Sequence, residues 1–142
     1  MQITRLDVVL AADLADLGAL MATLDHFAGV SGLSPDVAFK VQLCLDELVN
    51  NVIDHGYAPG APGEIRLRIE HHGDRLAIEI SDDAALFDPF SNPPPDLDLG
   101  VDDRPLGGLG VHLVRTLMTE ARYAVDAGRN HVRLVLSLEP AS

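Results

Sequence analysis

The run Leu43-Cys44-Leu45-Asp46-Glu47-Leu48-Val49-Asn50-Asn51-Val52-Ile53-Asp54-His55-Gly56-Tyr57 reads as the later two-thirds of one helix. At about 100° per residue it sorts into two faces. Val41, Leu45, Leu48, Val49 and Val52 fall on one side, as core packing requires. Lys40, Glu47, Asn50, Asn51, Asp54 and His55 fall on the other. Two adjacent asparagines and an aspartate are poor helix formers, so helix stability does not explain them. Glu47 and Asn51 are one helical turn apart and project the same way. A carboxylate can take a proton from a hydroxyl, and an Asn carbonyl oxygen is a hard ligand that suits Mg²⁺ beside phosphates. A solvent-facing helix end that frays toward Gly56 would show the same residues, so this helix alone leaves a site and a bland surface both open.

Working back from it, Ser34 is a good N-cap, with Pro35 at the first helical position and Asp36 in the first turn. The spacing predicts this helix from Ser34 to about Tyr57. Ahead of it, Leu14, Leu17, Leu20, Met21, Leu24 and Phe27 predict an amphipathic helix within Ala11–Gly29, closed by Gly29-Val30-Ser31-Gly32. Gln2–Leu10 reads as a first strand.

Beyond the helix, Glu64–His71 and Arg75–Asp82 alternate apolar and polar residues around His72-Gly73-Asp74, which predicts a hairpin. His71 and His72 would then point to opposite faces, against a shared metal. Residues 83–105 carry five prolines and no periodicity, as a lid, a binding loop or a disordered segment would. Leu106-Gly107-Gly108-Leu109-Gly110 leads into a helix predicted over Leu109–Thr119. Two closing strands, Ala121–Ala127 and His131–Leu138, are expected to join through Gly128-Arg129-Asn130. The order implies an α/β two-layer sandwich: one mixed, mostly antiparallel sheet with its helices on one face.

Composition narrows the function. The chain has 142 residues, 47% hydrophobic, and a net charge of −12 from 22 acidic and 10 basic residues. That is enough for one domain with a core, and it argues against direct binding of nucleic acid or of an anionic membrane. No apolar run approaches the ~20 residues that span a bilayer. The single Cys44 cannot form an internal disulfide, and its helix position predicts a buried thiol. One cysteine and no signal peptide make the cytoplasm the expected compartment.

Gly107-Gly108-Leu109-Gly110 at a helix start is suited to phosphate: backbone amides can approach closely and the helix end favours anions. It matches neither the P-loop nor the Rossmann fingerprint. Asp82, ending a strand, could accept a hydrogen bond from the exocyclic amine of adenine.

Helix Glu47…Asn51, strand-end Asp82, a variable loop, then Gly-Gly-x-Gly at a helix start: in this order the pieces resemble the Bergerat-type ATP-binding fold of gyrase and the sensor histidine kinases. The short form with Glu-x-x-x-Asn-x-x-x-His-Gly-Tyr is similar to the bacterial anti-sigma-factor serine/threonine kinases. The resemblance spans about Leu14 to Leu138, with the helix motif and Gly-Gly-Leu-Gly-Val-His-Leu-Val as its specific parts. No dimerisation helix with a phospho-acceptor His and no gyrase-type transducer domain is seen, so one ATPase-like domain over 1–142 is expected.

The resemblance implies an ATP- and Mg²⁺-dependent protein kinase that binds a sigma factor and phosphorylates a serine of a STAS-type antagonist. Glu47 would be the general base and Asn51 the Mg²⁺ ligand. Asp82 would read adenine beside Ala84, and Gly107, Gly108, Leu109 and Gly110 would wrap the phosphates under a lid at 83–105. Arg104 or Arg115 would add positive charge there. Relatives of this kind are often homodimers. Three departures stand out. The pattern Asp-x-Gly is Asp82-Asp83-Ala84 here, Arg133 aligns where relatives carry a Thr near adenine, and Asp54 adds negative charge near Asn51. Ala84 and Arg133 motivate an alternative of another class, a non-catalytic protein-binding regulator in the same kind of partner-switching pathway.

Overall fold

In a computed structural model the protein is described over residues 3–58, 60–91 and 108–138. Arg104 and Gly107, expected near the phosphates, and residues 92–105 of the expected lid lie outside the described residues. Five strands and three α-helices follow one another as β1 (Ile3–Ala11), α1 (Leu14–Ser31), α2 (Pro35–Asn51), β2 (Glu64–His72), β3 (Arg75–Asp82), α3 (Gly108–Leu117), β4 (Glu120–Asp126) and β5 (Arg129–Ser137).

Local chemistry sets the helix ends. The Asp13 carboxylate accepts the Asp16 N–H at 2.7 Å, and the Asp16 carboxylate accepts the Ala11 N–H at 2.8 Å. This reciprocal cap starts α1 at Leu14 rather than at Ala11. Ser34 caps α2 through the Val37 N–H, with Pro35 first in the helix.

The α-helix ends at Asn51, not near Tyr57. Val52–Gly56 form a π-helical turn. Such turns occur mostly as single interruptions of α-helices, frequently at functional sites. A looser turn uses more residues per revolution, so Asp54, three residues beyond Asn51, falls short of the rotation that α-helical spacing would give it and points further from the Asn51 direction. Asp54 is exposed, and its expected place beside Asn51 rested on an α-helical spacing that the turn breaks.

The sheet order is β1-β2-β3-β5-β4. All four neighbouring pairs are antiparallel, so the sheet expected to be mostly antiparallel is antiparallel throughout. β5 returns between β3 and the edge strand β4. The β4–β5 turn is Ala127-Gly128, both with positive φ (53° and 77°), as a two-residue type I′ hairpin needs. The expected turn Gly128-Arg129-Asn130 is therefore shifted, and Arg129 and Asn130 belong to β5.

The core lies between the helices and one face of the sheet. Leu20 and Leu24 of α1, Leu45 and Val49 of α2 and Val114 of α3 pack against Ile65, Ile69, Leu76, Ile78 and Leu134. Cys44 is buried among them, and burial pushes its thiol up to about 11. The other sheet face carries charged side chains, paired across strands as Arg68–Asp7 and Arg133–Glu79. His71 and His72 face opposite ways. His71 Nδ1 meets Ser31 Oγ on the helix side, and His72 meets Glu70. Among the described residues no helix is long and apolar enough to cross a membrane.

Candidate functional site

Burial of Leu45, Leu48 and Val49 fixes the roll of α2 and turns Glu47, Asn50 and Asn51 toward the edge of the core, half-buried. Among the described residues, the side chains of Glu47 and Asn51 have no hydrogen bond or ion pair. Glu47 lies against the first turn of α3: a Cβ built on Gly110 would overlap the Glu47 carboxyl group. A glycine at 110 is what allows this close approach. The contact joins the acid/base candidate of α2 to the start of the glycine-opened helix, where backbone N–H groups lack helical acceptors. Gly108 and Leu109 lie in that first turn as expected.

The end of α2 also reaches the end of β3. The Ala85 N–H donates to the Gly56 carbonyl at 3.3 Å. A Cβ on Gly56 would fall 2.7 Å from the Ala84 methyl. Ala84 thus fills room left by Gly56, and it does not have a positive φ, since Ala127 alone does so among the described non-glycine residues. Alanine in place of the glycine of Asp-x-Gly therefore carries no backbone strain at position 84.

Asp82 is 3% exposed and continues the inward line of Leu76, Ile78 and Ile80 on β3. Its Oδ1 accepts the Ala84 N–H at 3.0 Å and Asn130 Nδ2–H at 2.8 Å. Asn130, directly opposite Asp82 in the β3–β5 register, is the residue that sequence reasoning missed. Arg133 does not stand at this position. It is paired with Glu79 on the far side of the sheet, where an odd step along β5 must put it. A signal was present: Asn130 is in step with the inward Val132, Leu134 and Leu136, as Asp82 is on β3.

A second carboxylate, Asp83, braces the wall beside this point. Its Oδ1 accepts the Tyr57 hydroxyl at 2.5 Å and the Glu64 N–H at 3.0 Å. These two bonds hold its carboxyl below the usual range, the Tyr57 bond contributing most. Burial, then the bond to Asp83, pushes the Tyr57 phenol upward. Arg129 spans the same wall, donating to Ser81 Oγ at 2.9 Å and to the Glu64 carbonyl at 3.3 Å. Arg115, expected near phosphate, bonds the Phe90 carbonyl and lies 5.4 Å from the Phe90 ring centroid, so it holds the first part of the 83–105 segment on α3. No cluster of three or more His, Cys, Asp or Glu able to hold a metal exists among the described residues.

The geometry is that of an α/β sandwich in which the Glu47 carboxylate meets the opening turn of α3 and the end of α2 meets the end of β3, where Asp82 is buried. The family model of the histidine kinase-like ATPase domain matches residues 10–136, and the chain belongs to that family. Serine/threonine-protein kinase BtrW of Bordetella bronchiseptica is 33% identical over 119 residues, 84% of each chain. Serine-protein kinase RsbW of Bacillus licheniformis is 31% identical over 116 residues, covering 79% of this chain and 72% of the relative. RsbW of Bacillus subtilis is 30% identical over 117 residues with the same coverage. The crystal structure of the RsbU and RsbW domains of Rv1364c from Mycobacterium tuberculosis superposes with a TM-score of 0.64 at 18% identity. It covers 98% of this chain and 34% of that one, and shows the same fold.

Proposed function

We propose that the protein is an ATP-dependent serine/threonine kinase of the anti-sigma-factor type. It would bind a sigma factor and phosphorylate a serine of a STAS-type antagonist, as one cytoplasmic domain that also forms a homodimer. The observation that carries the proposal is the packing of Glu47 on Gly110, which brings a carboxylate that has no hydrogen bond or ion pair among the described residues to the first turn of α3. The kinase names of the relatives support it.

In this reading Asp82 receives the amine of adenine beside Ala84, and the phosphates lie at Gly107, Gly108, Leu109 and Gly110 with Arg104 nearby. Residues 83–105 form the lid. Glu47 takes the proton of the acceptor hydroxyl as its oxygen bonds to the γ-phosphorus. The bond from that phosphorus to the β–γ bridging oxygen breaks, and ADP leaves with its electron pair. Asn51 offers one neutral oxygen ligand to Mg²⁺. Among the described residues no cluster of three or more His, Cys, Asp or Glu stands ready to hold a metal, so phosphate oxygens and water would complete the shell, which suits Mg²⁺. Bound Mg²⁺ supplies neutralisation of phosphate charge. The chain's own part is positioning and one proton transfer.

The two substitutions that suggested a non-catalytic regulator no longer favour one. Arg133 is on the other sheet face, and Ala84 is accommodated over Gly56. Calorimetric titration with ATP and Mg²⁺, followed by mass spectrometry of a STAS-type antagonist, tests the proposal. Glu47→Ala is expected to keep ATP affinity and to lose roughly 10²–10⁴-fold in transfer, while Asn51→Ala weakens Mg·ATP binding. Equal transfer by wild type and Glu47→Ala would overturn the catalytic role. A partner that binds but is never phosphorylated by wild type would instead support the regulator.

A further inference from the structure

Asn130 is 5% exposed, and the two ends of its amide meet chemically different neighbours. Nδ2 faces acceptors only: Asp82 Oδ1 at 2.8 Å, the Ala85 carbonyl at 3.0 Å and the Ala84 carbonyl at 3.5 Å. Oδ1 receives the Phe87 N–H at 2.9 Å, an obligate donor, and the Tyr123 hydroxyl at 2.5 Å. Turning the amide over would set its N–H groups against the Phe87 N–H and its oxygen against three acceptors. One orientation is therefore fixed.

The consequence falls on Asp82. Both donors that reach it, Asn130 Nδ2–H and the Ala84 N–H, go to Oδ1. Among the described residues no hydrogen bond reaches Oδ2. Asp82 as a whole is 3% exposed, and Oδ2 is not among fully buried side-chain atoms without a partner, so it keeps a narrow opening. The carboxylate is held by one oxygen and offers the other.

We propose that Asn130 is a specificity-determining positioning residue for base recognition: it holds Asp82 so that Oδ2 is offered as an acceptor to the exocyclic amine of a 6-aminopurine nucleotide. This deepens the ATP-site reading and rests on it. A 6-oxopurine would set a carbonyl oxygen against that carboxylate, and a purine with hydrogen at C6 would give it no donor. The same amide holds the Ala84 and Ala85 carbonyls and the Phe87 N–H, so the carboxylate and the first residues beyond β3 form one unit.

The test measures dissociation constants of ATP, inosine triphosphate and purine riboside triphosphate for wild type, Asn130→Ala and Tyr123→Phe, each checked for folding by thermal melting. In wild type, ATP is expected to bind at least about tenfold more tightly than the other two, as a hydrogen bond to a charged group allows. In folded Asn130→Ala, ATP affinity should fall about tenfold or more while the C6–H analogue changes less than about twofold, so that selectivity collapses. A general structural loss would weaken all three ligands alike, and an unchanged selectivity ratio overturns the proposal. Should Asn130→Ala not fold, Tyr123→Phe decides. It removes one of the two donors to Asn130 Oδ1, a two- to fivefold fall in selectivity is expected at roughly 0.5–1 kcal/mol for a neutral hydrogen bond, and no change overturns the assignment. A wild type that binds all three purines equally overturns the role of Asn130 alone. A wild type that binds none overturns the nucleotide site itself.

Discussion

At the scale of single residues, Gly110 carries a consequence that its place in a glycine-rich run hides. Its α-carbon faces the Glu47 carboxyl, and any side chain there would displace that carboxyl. Gly110 lies inside α3, so alanine would be favoured by about 1 kcal/mol on helix propensity alone. A loss of function in Gly110→Ala therefore cannot be blamed on the backbone. If the glycine makes room for the base, Gly110→Ala should bind ATP within about threefold of wild type and transfer phosphate about 10²-fold more slowly, the usual result of misplacing a reacting group by an ångström. Binding and single-turnover transfer, measured on the same preparation, check this. A matching fall in ATP affinity would mean that the glycine acts mainly through the phosphates, which the proposed site also places beside it, and not through Glu47.

At the scale of elements, the site depends on how the end of α2 is tied to the sheet. After the π turn the chain is fixed by Asp83, which joins Tyr57 to the first residue of β2. The native carboxyl is held below its ordinary value, so it contributes stability above the unfolded value of ~3.9 and loses it as pH falls through the lower native value. The raised Tyr57 phenol works in the opposite sense: its contribution is present below ~10 and is lost as pH rises through the native value. Asp83→Asn, which cannot titrate, should melt a few degrees below wild type at neutral pH, and the gap should close as pH falls below ~3.9. Paired melting curves across that range isolate Asp83 from the other carboxylates, and a gap that stays constant with pH would remove the charge from the account.

The same elements show what the sequence could disclose. Strand β3 was legible to the residue, because Leu76, Ile78 and Ile80 alternate cleanly and Asp82 breaks the pattern at its end. Asn50 and Asn51 stood out because asparagine is a poor helix former in mid-helix, and Glu47 because it lies one turn before Asn51. The π turn was not, since the residues that form it would equally continue an α-helix. Asn130 was hidden by its neighbours. Gly128-Arg129-Asn130 looks like a turn, whereas the real turn places Ala127, a residue with no turn preference, at positive φ. That shift moved Asn130 into the strand and Arg133 to the other face.

At the scale of the molecule, the charge of −12 is unevenly spread. The open sheet face carries seven of the ten basic residues, Arg5, Arg66, Arg68, Arg75, Arg122, Arg129 and Arg133. Most are paired with a carboxylate on that face, including Asp7, Glu64, Glu79 and Glu120. Being exposed, these pairs add little stability, and they neutralise the surface. The helix side is different: among the described residues, Asp13, Asp16, Asp25, Asp36, Asp46 and Asp54 lie there with only Lys40 and Arg115 of opposite sign. For a basic partner, such as the proposed sigma factor, the attractive field therefore comes from the helix layer and acts mainly on the association rate. Asp46 is exposed on α2. Asp46→Lys is expected to slow association about threefold or more at low salt and to leave dissociation unchanged, with the difference gone near 1 M salt, where the Debye length is about 3 Å. Glu120→Lys makes the same change in net charge on the sheet face and should leave the rate near that of wild type. Stopped-flow mixing with the partner at several salt concentrations separates the two. Equal slowing by both variants would mean that the partner senses the total charge of the protein, not the face on which it lies.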